Sequence, residues 1–319
     1  MTNIKKQISQ FCLCNKSGVA LSEEERQSFW NWIDKLCKSK KVCFVFRGDD
    51  KLRMQFNVDA TDIDLLSHRL FMLGEKGFAF WKQCNDNTEF IKNDSEDALE
   101  YVWKKFNEKV CKLKFEKENT LQRVARFLNE NPEFEIYFGN EQNREAFMSF
   151  SQGKNSTKIK DYYLSLLHTI GKSGNGCSYF LSSSKSFKTA CEFSKEENGI
   201  VIVGWVPKKG KKEKMITYND MENNNMDVSG LGLPTFHEPV YSDQHEICLK
   251  CGLLPHYIIG YITQNKFIVN PEALSEWNDN IPIQGMNIDQ KDFAEILEAT
   301  NYGRAFYFNE GNYGFYPWI

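Results

Sequence analysis

No run of about 18 uninterrupted apolar residues occurs anywhere in the 319-residue chain, which argues against a membrane-spanning helix. A secretory leader is not expected either: Met1-Thr2-Asn3-Ile4-Lys5-Lys6 is basic, but Gln, Ser and Cys follow where an apolar core would stand. Charge of one sign is also missing. With 40 Lys and Arg against 43 Asp and Glu, the net charge of −3 offers no general attraction to nucleic acid or to an anionic membrane, although a local basic patch still could. The ten cysteines fall singly or in small pairs through a chain too long to be a disulfide miniprotein, so a reducing cytoplasm is the expected compartment. No internal repeat is visible.

What is present is an ordinary globular composition, 41% hydrophobic and 26% charged, in a chain long enough to bury a core without metal or disulfide staples. Residues 21–39 predict a helix: Ser22 precedes a Glu-rich first turn, and Phe29, Trp30, Trp32, Ile33 and Leu36 recur at helical spacing. The β-rich run 42–47 and the alternating run 51–56 predict a hairpin turned at Gly48-Asp49-Asp50. Helices are predicted over 60–73, 98–113 and 120–129, with a strand over 77–83. The texture changes after Asn131-Pro132, where a soft domain boundary is placed.

Residues 152–158 read as a loop by composition, and strands then dominate. Five are predicted, at 164–168, 178–182, 200–206, 246–249 and 257–262, with one helix over 186–196 between them. Many strands with few helices favour a mixed α+β arrangement over a regularly alternating parallel sheet. A long polar, Gly-rich segment at 221–234 leads into the strand that begins near Gln244 and Glu246. Cys12, Cys14, Cys248 and Cys251 could together supply four zinc thiolates, but buried packing is the better reading of each pair.

Three short polar signatures lie in one order along this second half. They are His168-Thr169-Ile170-Gly171, Ser182-Ser183-Ser184-Lys185-Ser186 and Gln244-His245-Glu246. Together they resemble the motifs of the ADP-ribosyltransferase superfamily: an Arg or His at a strand end, a Ser-Thr-Ser strand leading into a helix, and Gln or Glu two residues before a catalytic Glu. Ser183 stands where Thr is usual, and in the first signature Thr follows His directly with Gly displaced. Arg47-Gly48, after the apolar run 42–46, is a rival for the first motif.

The resemblance implies an α+β fold with a C-terminal split β-sandwich of the ADP-ribosyltransferase type over 131–319; the predicted helices and strands of 1–130 read separately as a mixed α/β accessory or recognition region. The resemblance also implies NAD as co-substrate, with His168, Thr169, Gly171, Ser182, Ser183 and Ser184 as cofactor-binding residues. Glu246 and Gln244 would be the catalytic pair, with Phe236 and Tyr241 engaging the acceptor. The chemistry suits these residue types. Cleaving the nicotinamide glycosidic bond builds positive charge on the ribose while a neutral group departs, so a placed carboxylate stabilises the transition state and short polar side chains orient the substrate.

The expected activity is mono-ADP-ribosyl transfer to a protein side chain or a nucleic-acid base, in a cytoplasmic toxin or defence effector restrained by an inhibitory partner protein. The alternatives are an NAD glycohydrolase and a non-catalytic nucleic-acid or protein binding module of the same fold. For the module, the lysines at 208–214 would be the phosphate-contacting segment; otherwise they form a solvated hairpin tip.

Overall fold

A computed structural model of the chain describes residues 3–38, 42–50, 63, 67, 98–110, 119–170, 180–194, 199–207, 218–220, 228–236, 242–250, 258–270, 306–309 and 312–315. In chain order the elements are α1 (Asn3–Ile8), β1 (Cys12–Cys14), α2 (Glu23–Lys38), β2 (Val42–Asp50) and α3 (Ala98–Lys104), which runs on as a π-helix over Lys105–Val110. Next come α4 (Asn119–Glu130), α5 (Pro132–Phe138), α6 (Arg144–Met148), α7 (Ser156–Thr169), β3 (Phe180–Ser184) and α8 (Phe187–Phe193). Strands β4 (Gly199–Pro207), β5 (Tyr218–Asp220), β6 (Glu246–Lys250), β7 (Ile258–Thr263), β8 (Lys266–Val269), β9 (Phe306–Asn309) and β10 (Asn312–Phe315) complete the order. No described helix is long and apolar enough to cross a membrane.

The chain divides into two units, one comprising Met1–Lys82, Leu181–Tyr218 and Leu249–Ile319, the other Gln83–Phe180 and Asn219–Cys248. The first is built on a mixed sheet in the order β1-β8-β7-β4-β2-β3-β6-β5, and this unit holds all or part of every strand in it. Strand β4 is central, with Ile200 to Val203 and Trp205 all buried, the continuous apolar run of a strand covered on both faces. It pairs antiparallel with β2 along the whole length from Val42 opposite Pro207 to Asp50 opposite Gly199, and antiparallel with β7 on its other side. Strand β1 pairs parallel with β8, which makes the sheet mixed. Strands β9 and β10 pair antiparallel as a separate ribbon.

The predicted hairpin at Gly48-Asp49-Asp50 is not formed. These residues continue β2, because each has a partner on β4: Gly48 opposite Val201, Asp49 opposite Ile200 and Asp50 opposite Gly199. The predicted helix at 21–39 is α2. Ser22 Oγ accepts from the Glu25 N–H at 3.2 Å while a Glu25 carboxylate oxygen accepts from the Ser22 N–H at 2.8 Å, a reciprocal capping box, and Phe29, Trp32, Ile33 and Leu36 are its buried stripe. Of the predicted helix 60–73 only Ile63 and Ser67 are described, both helical; the Ser67 hydroxyl meets the Tyr261 hydroxyl at 2.8 Å. The strand predicted at 77–83 and the lysines at 208–214 lie outside the described residues.

The second unit is helical around an aromatic core. Phe106 stacks on Phe138 with ring centroids 4.6 Å apart, and Tyr163 stands edge-on to Phe106, Phe138 and Phe147. The predicted helices at 98–113 and 120–129 are present as α3 with its π-helical continuation and as α4. Phe127 and Phe134 are in edge contact across Asn131-Pro132 at 4.9 Å, so α4 and α5 share one core.

The predicted strand at 164–168 is instead the last part of α7, whose first turn takes Ser156, Thr157 and Lys158 from the predicted loop at 152–158. Ile159, Tyr162, Tyr163, Leu166, Leu167 and Ile170 are all buried, and that spacing is helical. A window of five apolar residues cannot distinguish a buried strand from a buried helix; the 14-residue length of α7 does.

Candidate functional site

Alternation along β2 places Val45, Arg47 and Asp49 on one face and Phe46 and Gly48 on the other. The second face receives α8: Phe46 meets Phe187 with ring centroids 5.5 Å apart, and a Cβ on Gly48 would run into the carbonyl oxygen of Ala190. On the first face the Arg47 guanidinium is held at two points. Its Nη1 donates to the Ser182 carbonyl oxygen at 2.8 Å, and its Nη2 donates to Asp49 Oδ2 at 2.9 Å. The two side chains of this ion pair are 28% and 19% exposed, so the charge is partly withdrawn from water yet paired. Arg47 Nε is buried and finds no acceptor among the described residues.

Strand β3 pairs antiparallel with β2, with Ser184 opposite Phe46. The serines that follow the strand have local work. Ser184 Oγ accepts from the Ser186 N–H at 2.8 Å, and Ser186 Oγ accepts from the Thr189 N–H at 3.2 Å, capping α8. Ser183 and Ser184 are buried and Ser182 is half-buried.

In the second unit a 3₁₀ turn at Ser242–Gln244 runs into His245, a non-glycine residue with φ of 47°, and β6 starts at the next residue, Glu246. Gln244 and Glu246 are therefore not successive same-face positions of one extended strand, as the motif spacing predicts; the left-handed turn at His245 separates them. Glu246 and Cys248 do share a face of β6. The Cys248 thiol donates to Glu246 Oε1 at 3.6 Å and also meets Thr169 Oγ1 at 3.7 Å, while the Thr169 hydroxyl donates to the Ser165 carbonyl at 2.9 Å. Burial, reinforced by the neighbouring Glu246 charge, pushes the Cys248 thiol well above its ordinary range and keeps it protonated.

The first-motif candidates fare differently. His168 lies in the last turn of α7 rather than at a strand end, so the strand placement that recommended it is overturned. Arg47 lies on a strand and reaches Ser182, 135 residues away in sequence. Thr169 is drawn toward Glu246 through Cys248. Phe236 is 1% exposed, stacked on Tyr162 at 5.7 Å with the planes 9° apart, and its N–H donates to the Tyr162 hydroxyl at 3.2 Å. Gly171, Tyr241 and Cys251 lie outside the described residues. Cys12 is exposed, Cys14 and Cys248 are buried thiols, and no group of three or more metal-ligating side chains occurs among the described residues.

Sequence reasoning missed Asp49 and the polar use of Cys248. Each stands two residues beyond a candidate, Asp49 after Arg47 and Cys248 after Glu246, which on a strand is the same-face neighbour; that spacing is the signal that finds them.

Comparison of the chain with protein-family models, with curated proteins and with solved structures returns no match.

Proposed function

We propose that the chain is a mono-ADP-ribosyltransferase that moves ADP-ribose from NAD to a macromolecular acceptor, a protein side chain or a nucleic-acid base, on a split β-sandwich of the ADP-ribosyltransferase type. The observation that carries the reading is the contact of Arg47 with Ser182: a strand-borne Arg and the serine signature are brought together by the sheet. In this reading Arg47 replaces His168 as the first-motif residue. The positive guanidinium suits a dinucleotide's phosphates, and its contacts with Ser182 and Asp49 orient it before substrate arrives.

The reaction follows from the residue types. Nicotinamide leaves as a neutral base with the electron pair of the glycosidic bond, and the Glu246 carboxylate stabilises the positive charge that develops on the ribose. The acceptor nucleophile then forms the new bond to the ribose carbon and loses its proton to solvent or to a neighbouring base. Gln244 meets the acceptor. The location implied is the cytoplasm, and the biological setting that suits such an activity is a toxin or defence effector held in check by an inhibitory protein.

The test is incubation of the purified chain with labelled NAD in a lysate, divided into protease-treated and nuclease-treated halves. Label is expected in one half, with nicotinamide released in proportion; free ADP-ribose alone would identify a glycohydrolase instead. Glu246→Gln is expected to lower release by about 100-fold or more. Arg47→Lys, which cannot hold two acceptors in a planar fork, is expected to raise KM for NAD by about tenfold. If the wild-type chain releases no nicotinamide, or Glu246→Gln changes nothing, the reading is wrong.

A further inference from the structure

We propose that Cys248, backed by Thr169, is a positioning residue for the Glu246 carboxylate, an inference that rests on the transferase reading above. The two side chains share one face of β6, and the thiol donates to Glu246 Oε1 at 3.6 Å. An ionised carboxylate accepts hydrogen bonds and cannot donate them, so the thiol proton belongs to this contact. A thiol has only one proton. Toward Thr169, 3.7 Å away, Cys248 Sγ must therefore accept, and the Thr169 hydroxyl divides its proton between Sγ and the Ser165 carbonyl. The direction of the chain is thereby fixed, from Thr169 through Cys248 to Glu246.

The surroundings support an orienting role and oppose a nucleophilic one. Cys248 is fully buried, and burial together with the Glu246 charge holds its proton on sulfur, so no reactive thiolate forms. Its backing residue sits at the end of α7, whose Leu166 and Leu167 are buried, so the hydroxyl is anchored to a packed helix. Glu246 follows directly on the left-handed turn at His245 and opens β6. The Thr169 hydroxyl meets Cys248, whose thiol in turn meets the Glu246 carboxylate.

Cys248→Ala removes the donor and Cys248→Ser keeps one. In the full chain, Cys248→Ala is expected to lower kcat about three- to tenfold with KM for NAD held within about twofold. Cys248→Ser should restore most of that loss, and Thr169→Val should fall between them. Equal losses in the Ala and Ser variants, or a change confined to KM, would overturn the proposal. A second measurement needs no turnover: the infrared S–H band that vanishes in Cys248→Ser should move toward the unbonded position in Glu246→Ala. An unmoved band sinks the contact itself, whereas a wild-type chain that releases no nicotinamide sinks the transferase reading and the positioning role with it.

Discussion

At Gly48 the helix α8 lies close against β2. A side chain there would collide with the Ala190 carbonyl and press on Phe193 Cβ at 3.0 Å, and a backbone carbonyl within a helix cannot swing aside. Gly48→Ala is expected to destabilise the fold by about 1–3 kcal/mol, read as a lower denaturant midpoint at unchanged slope. An unshifted midpoint would show that the helix has room to retreat. Arg47, one residue earlier, faces the opposite side of the strand, so its pairing with Asp49 and Ser182 depends on the glycine only through the position of β2 itself. The candidacy of Arg47 was legible in the sequence as an Arg-Gly pair after an apolar run, but its partner Ser182 was not, since nothing local links residues 135 positions apart.

At the scale of elements, local signals succeeded where a cap or a long stripe was present. Ser22 before a Glu-rich turn announced α2, and the helix predicted over 186–196 is α8, which the structure shows capped by Ser186. Ser186→Ala removes the acceptor for the Thr189 N–H and is expected to cost about 1 kcal/mol, with Ser186→Asp retaining most of the stability. Equal losses for Ala and Asp would mean that the hydroxyl is not acting as a cap. The signals failed at α7 and at the end of β2. In α7 the burial of nearly every side chain from Tyr162 to Leu167 erased the polar face that reveals a helix, and short windows then resemble strand. At Gly48-Asp49-Asp50 turn-forming residues were overridden by nine consecutive pairings with β4, whose backbone hydrogen bonds outweigh a local preference.

For the molecule as a whole, buried thiols and phenols set the response to alkali. Burial, with the Cys12 thiol beside it, pushes Cys14 up to about 11, and burial raises Tyr162 and Tyr163 above the ordinary phenol range. Between the ordinary thiol value of about 8.5 and about 11, the folded chain keeps a proton on Cys14 that the unfolded chain has lost. Folding then binds more protons than unfolding, so stability is full below that window and falls through it; above about pH 10 the tyrosines add to the fall. Denaturant midpoints measured from pH 7 to 11 should decline in this window, and Cys14→Ser should make the part between pH 9 and 10 shallower, with the buried Cys248 thiol supplying the remainder. A midpoint that stays level across the window would contradict the burial of these groups.

Local sequence specified the capped and amphipathic helices, four of the five strands predicted in the second half, and the candidacy of Glu246 and the serine run, because each is written within a span of a few residues. Tertiary structure alone decided that Arg47 meets Ser182, that the run ending at His168 is helical, and that Cys248 links Thr169 to Glu246. Those outcomes depend on which strands pair and which faces are buried. Both are settled by free-energy terms summed over residues far apart in the chain, which no local window contains.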